Sequence, residues 1–102
     1  VKYERTDRFK ADYRRLEADE RERFRAAVRE MNPAAGSEQD PRRIAWPTRL
    51  RIKDVERAPG VWEMTWSFAG PDGRATFELI RIDEALGVRW RRIGGHDIFK
   101  QP

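Results

Sequence analysis

Three cations at a spacing of two, Arg49, Arg51 and Lys53, are the residues of this sequence whose types and positions most directly suggest chemistry. On a strand, that spacing sets all three on one face, where like charges repel unless an anion sits among them. Guanidinium groups bind phosphate in a bidentate fork, so the expected anion is a phosphate. No acid occurs between Arg42 and Lys53, a segment that also carries Arg43. The alternative is an edge strand guarded by charge against pairing with another chain. A second candidate is His96, the single histidine, in Ile93-Gly94-Gly95-His96-Asp97-Ile98-Phe99. Near arginines it could act as a general acid; otherwise it is a surface histidine in a tail anchored by Phe99. Glu63, after Trp62, would orient a guanidinium or serve as a base. Arg74, after Asp72-Gly73, either points to the same face or is a charge beside a turn. Trp46 lies in a loop between Ala45 and Pro47 and is the tryptophan expected to be exposed, where it could stack on a base.

Other chemistries are excluded. The chain of 102 residues has no cysteine, which removes disulfides, cysteine-ligated zinc and a cysteine nucleophile. One histidine rules out any mechanism needing two imidazoles. No phosphate-cradling glycine loop, serine elbow or metal-ligand spacing is present, so neither cofactor nor metal is expected. No apolar run reaches the ~20 residues of a membrane span, and no signal-peptide core is seen. The expected location is the cytoplasm.

The elements that must position these residues follow from periodicity and charge. The length predicts a single domain, residues 1–102. Hydrophobic residues make up 38% and charged residues 39%, a lean core compensated by four Trp, five Phe and two Tyr. Residues 1–40 hold 10 basic and 10 acidic side chains, so the net charge of +4 belongs to the remainder. After a short strand, Phe9, Tyr13 and Leu16, then Phe24, Val28 and Met31, mark two amphipathic helices. Thr6 or Asp7 caps the first. Asp19 with Glu22 resembles a capping box for the second, and Pro33 is expected to stop it. A loop runs from Asn32 to Pro47, after which the period becomes two. Leu50 and Ile52 alternate with the cations; Trp62, Met64, Trp66 and Phe68 alternate with Glu63, Thr65 and Ser67. Most of Trp62, Trp66 and Trp90 should therefore be core. Pro71-Asp72-Gly73 signals a turn, Arg74 to Ile82 a strand, Ala85-Leu86-Gly87 another turn, and Val88 to Ile93 a last strand. The predicted fold class is α+β, two N-terminal helices packed on an antiparallel β-sheet of about four strands.

This order resembles the RelE/ParE superfamily of bacterial toxins. Four stretches carry the resemblance: the opening helix from Thr6 to Leu16; Leu50-Arg51-Ile52-Lys53 with Gly60-Val61-Trp62-Glu63-Met64, similar to the HigB-like branch; Gly73-Arg74-Ala75-Thr76-Phe77; and the ending from Ile93 to Phe99. The resemblance implies the toxin of a type II toxin–antitoxin system that cleaves mRNA without metal, on the ribosome. Its partners would be a cognate antitoxin, mRNA and the ribosome, with no membrane role. It implies that Arg51, Lys53 and Arg74 hold the scissile phosphate, that His96 protonates the leaving oxygen, and that Glu63 orients an arginine or acts as base. Arg42, Arg43, Arg49, Arg89, Arg91 and Trp46 are the candidate RNA contacts. The sequence departs from the pattern where Phe99 stands near the place of a C-terminal Tyr, and where Asp97 and Lys100 replace a Lys-Lys ending. The alternative is a non-enzymatic member of the same fold, a ParE-like gyrase inhibitor or an inactive RNA-binding homologue.

Overall fold

The structure, a computed structural model, describes residues 1–67 and 72–102. Its elements are β1 (Tyr3–Arg5), α1 (Asp7–Arg14), α2 (Ala18–Gly36), β2 (Lys53–Asp54), β3 (Val61–Ser67), β4 (Gly73–Ile82) and β5 (Ala85–Gly94). Short 3₁₀ turns cover Pro41–Arg43, Thr48–Leu50 and His96–Lys100. The five strands form one sheet in the order β1-β5-β4-β3-β2. The expected α+β class is present, and the expected short N-terminal strand, β1, joins the sheet: it runs parallel to β5 through Tyr3↔Val88, while the other pairs are antiparallel. The two helices between β1 and the rest carry the chain across the sheet, which is what a parallel pairing requires.

Thr6 starts α1: the Phe9 N–H donates to its Oγ1 at 3.1 Å, and its hydroxyl donates to the Arg91 carbonyl at 2.8 Å. One side chain thus caps a helix and ties it to β5. The capping box of α2 lies two residues earlier than Asp19-Glu22. Glu17 is the cap and Glu20 reaches back to the Glu17 N–H at 2.7 Å. Nor does Pro33 stop this helix, which continues to Gly36. Proline costs one backbone hydrogen bond there, and buried Met31 and Ala35 on either side keep the last turn on the core.

The helices lie on one face of the sheet. Met64 and Trp66 of β3, Ala75 and Phe77 of β4, and Val88, Trp90 and Ile93 of β5 join Phe9, Phe24, Ala27 and Met31 in one core. The Phe24 ring meets Trp90 edge-on at 5.0 Å, and Phe77 lies 5.2 Å from Trp90. Trp66 and Trp90 are buried and Trp62 packs against the same cluster. Phe68 and Pro71 lie outside the described residues.

Two further expectations change. The turn between β4 and β5 is at Asp83-Glu84, with φ of 52° and 65°, and Ala85 to Gly87 are already strand. Ile82 pairs with Ala85, leaving a two-residue turn whose left-handed residues match the twist of the hairpin. Leu50 to Ile52 is not strand. Thr48–Leu50 forms a 3₁₀ turn that Arg51 ends in the left-handed region (φ 50°), and only Lys53–Asp54 pairs with β3.

Candidate nucleic-acid site

Cross-strand register assembles the site on the sheet face away from the helices. Lys53 lies opposite Glu63, and Glu63 opposite Thr76. One step along, Thr65 lies opposite Arg74, and Arg74 opposite Gly94. Directly paired residues share a face. Lys53, Glu63 and Arg74 therefore point the same way from three successive strands. With strands about 4.8 Å apart, the Lys53 and Arg74 backbones are on the order of 12 Å apart, a span that two long cationic side chains can close around one phosphate. Arg51 precedes this row at the sharp turn into β2. His96 follows Gly94 by two residues and is exposed at the start of the last 3₁₀ turn, its ring 6.0 Å from Phe99.

Arg74 has the most distinctive environment. Its side chain is only 12% exposed, and Nη1 lies 3.3 Å from Asp72 Oδ2. That nitrogen is buried yet makes no hydrogen bond. The Asp72 carboxylate thus balances the charge at that nitrogen without an aligned hydrogen bond. Thr76, two residues on and on the same face, is completely buried, and its Oγ1 also lacks a partner. The last 3₁₀ turn packs against β4 and β5 with Ile98 buried. Thr76 was not among the sequence candidates, because no spacing rule distinguishes it from any other strand threonine.

Several predicted contacts are placed elsewhere. Arg49 does not share a face with Lys53: it leaves a 3₁₀ turn rather than a strand and forms an ion pair with Glu30 of α2, which raises its pKa through that hydrogen bond. Arg42 is exposed and folds back onto Asp40, whose carboxyl that hydrogen bond holds below its ordinary value. Arg43 is exposed in the same turn. Trp46, expected to be exposed, is half-buried, with its ring 6.2 Å from Trp62 and 6.0 Å from Phe77. Its apolar area is worth more against the core than in water. Arg89 pairs with Glu4 at 3.0 Å, and Arg91 with Glu78 at 3.0 Å. The acid-free segment is thus acid-free only in sequence, since carboxylates from other elements fold onto it.

An unanticipated junction fixes the end of β5 where His96 follows. Asp12 of α1, with a side chain 9% exposed, accepts from Arg92 Nε at 2.6 Å, Arg92 Nη2 at 3.2 Å and the Ile93 N–H at 3.2 Å. The hydrogen bond to Asp12 raises the Arg92 pKa. An acid between Phe9 and Tyr13 on an apolar helix stripe was the available signal.

The two N-terminal helices on a mostly antiparallel five-stranded sheet make a RelE-like fold. The RelE of the intact E. coli RelBE toxin–antitoxin complex superposes with a TM-score of 0.59 over 92% of this chain and 94% of that chain, at 16% identity. A RelB–RelE antitoxin–toxin complex from Methanococcus jannaschii gives 0.59 over 98% and 95%, at 13% identity. A free mutant of E. coli RelE gives 0.59 over 98% and 90%, also at 13% identity. The chain has the fold of these RelE structures. No protein-family profile matches the sequence, and no curated protein matches it.

Proposed function

We propose that this chain is the toxin of a type II toxin–antitoxin pair and a metal-independent endoribonuclease acting on ribosome-bound mRNA in the cytoplasm, with a cognate antitoxin as its protein partner. The observation that carries this reading is the nearly buried Arg74 guanidinium, ion-paired with Asp72, on the same sheet face as Lys53 and Glu63 and across from the strand that leads to His96. In the reaction, the ribose 2′-oxygen bonds to phosphorus as the bond to the 5′-oxygen breaks. The products are a cyclic phosphate and a 5′-hydroxyl. Arg51, Lys53 and Arg74 would hold the phosphate and the charge that develops on it. His96 would give its proton to the leaving oxygen. Glu63, beside Lys53, would orient the cations or take the 2′-proton.

Purified protein, ribosomes and a defined mRNA test this. Mapped 5′ ends should appear with wild type and fall about 100-fold with Arg74→Ala, and by a similar order with His96→Ala. Equal cleavage by all three proteins would overturn the assignment. A non-enzymatic reading, gyrase inhibition, is favoured by Phe99 beside His96, a ring that cannot donate a proton. Loss of supercoiling by gyrase with no mRNA cleavage would establish that reading instead.

A further inference from the structure

Arg8 and Asp12 stand one turn apart on α1, a spacing that sets both on one side of the helix. That side meets the C-terminal segment at two points, one before His96 and one after it. Before it, Asp12 accepts from the Ile93 N–H at 3.2 Å and from Arg92 Nε and Nη2 at 2.6 and 3.2 Å. After it, Arg92 Nη1 donates to the Gln101 carbonyl at 3.1 Å, and Arg8 Nη1 donates to Gln101 Oε1 at 2.7 Å. One carboxylate and one guanidinium therefore pin both ends of the segment 93–101. Its middle is anchored by Ile98, which is 1% exposed. A Cβ on Gly94 would stand 3.1 Å from Ile98 Cγ2, so the turn lies close on the strand at the residue paired with Arg74. His96 itself is exposed. Its ring lies 6.0 Å from Phe99, and among the described residues no hydrogen bond orients its imidazole. The backbone that carries it sets where it stands.

We propose that Asp12 is a positioning residue for His96: through Arg92 it lets α1 set where the imidazole stands relative to Arg74. The inference rests on the proton-donor role proposed above for His96. A nearly buried ion pair is a weak source of stability compared with apolar packing of the same volume. What Asp12 and Arg92 supply is direction, because a carboxylate and a guanidinium bond in few arrangements. A general acid works only within hydrogen-bond reach of the oxygen it protonates, and a displacement of about 1 Å can cost about 100-fold in rate. Asp12 and Arg92 need no contact with RNA for this, since they act through the turn.

The test measures kcat and KM for cleavage of a defined ribosome-bound mRNA by wild type, Asp12→Asn, His96→Ala and the double variant, together with ¹⁵N relaxation of the backbone amides. Asp12→Asn keeps the size of the side chain and removes its charge. It should lower kcat at least about 10-fold, and no further than His96→Ala does, with KM unchanged. The order parameter of the His96 amide should fall from about 0.85 to below about 0.6 while the core amides stay rigid. In the His96→Ala background the same substitution should cost nothing more, because its effect runs through the imidazole. Arg92→Lys keeps a cation beside Asp12 and loses the bond to Gln101, so kcat and the His96 order parameter should fall in the same direction. This variant decides the matter if Asp12→Asn does not fold. An equal loss from Asp12→Asn with and without His96, or kcat and order parameter unchanged in both variants, would overturn the inference. Undiminished cleavage by His96→Ala, with a loosened turn in Asp12→Asn, would overturn the proton-donor reading and keep the placement of the turn by α1.

Discussion

At the residue scale, Asp12 and Arg74 illustrate opposite uses of a buried charge. Asp12 has every contact it needs, two from Arg92 and one from the Ile93 N–H. Removing it takes the carboxylate from a mostly buried guanidinium, which keeps its bond to the Gln101 carbonyl at 3.1 Å, and leaves a backbone donor unpaired. Asp12→Ala should therefore lower unfolding stability by about 3 kcal/mol, read from urea midpoints at constant m-value; a loss under 1 kcal/mol would show the junction to be dispensable. Arg74 is the reverse case, a guanidinium with one nitrogen left unsatisfied. Arg74→Met keeps the stem and deletes the orphan donor, so it should leave the thermal midpoint unchanged or raise it while mRNA cleavage is lost. A variant that lost stability and activity together would mark Arg74 as a structural residue.

At the element scale, α2 and the β4–β5 hairpin each yield a measurable consequence. Asp19 is bonded by Arg23, and Glu22 by Arg29 and Arg25, and these hydrogen bonds hold both carboxyls below their ordinary values. A carboxylate with a lowered folded-state pKa contributes stability that is present above its unfolded value, about 4, and is lost as the pH falls through the folded value. Thermal midpoints should thus decline below about pH 4. Because these pairs are exposed, 0.5 M salt should shrink the α2 part of that decline; a decline unaffected by salt and by Asp19→Asn would assign it to other groups. In the hairpin, Asp83 and Glu84 both occupy left-handed backbone. Replacing them by Asn-Gly should stabilise the protein by about 1 kcal/mol, seen as a higher thermal midpoint. The alternation in β3 and the apolar spacing in both helices were legible from sequence, because burial of one face imposes a period on the chain. The 3₁₀ turn at Thr48–Leu50 was not, since Leu50 and Ile52 satisfy a period of two whether or not the backbone is extended.

At the scale of the whole molecule, the excess positive charge is smaller in effect than the count of arginines implies. Glu30, Glu4 and Glu78 fold onto Arg49, Arg89 and Arg91. If Arg51, Lys53 and Arg74 make the phosphate contacts, the logarithm of RNA affinity should fall with the logarithm of salt at a slope of about −2. A slope of about −5 would bring Arg42, Arg43, Arg89 and Arg91 into the interface. No helix among the described residues is long and apolar enough to cross a membrane.

By itself, the sequence determined the fold class, the two amphipathic helices, the inward tryptophans and the presence of cations around residues 42–53. Each follows from local periodicity, and locality is what a linear pattern records. Tertiary structure alone decided which cations stay available, because an ion pair such as Arg49–Glu30 or Arg92–Asp12 joins residues remote in the chain. It also decided that β1 lies parallel beside β5, that Trp46 turns to the core, and that Arg74 faces Gly94 on the strand leading to His96. Register across strands, which no spacing along one strand encodes, is the physical reason.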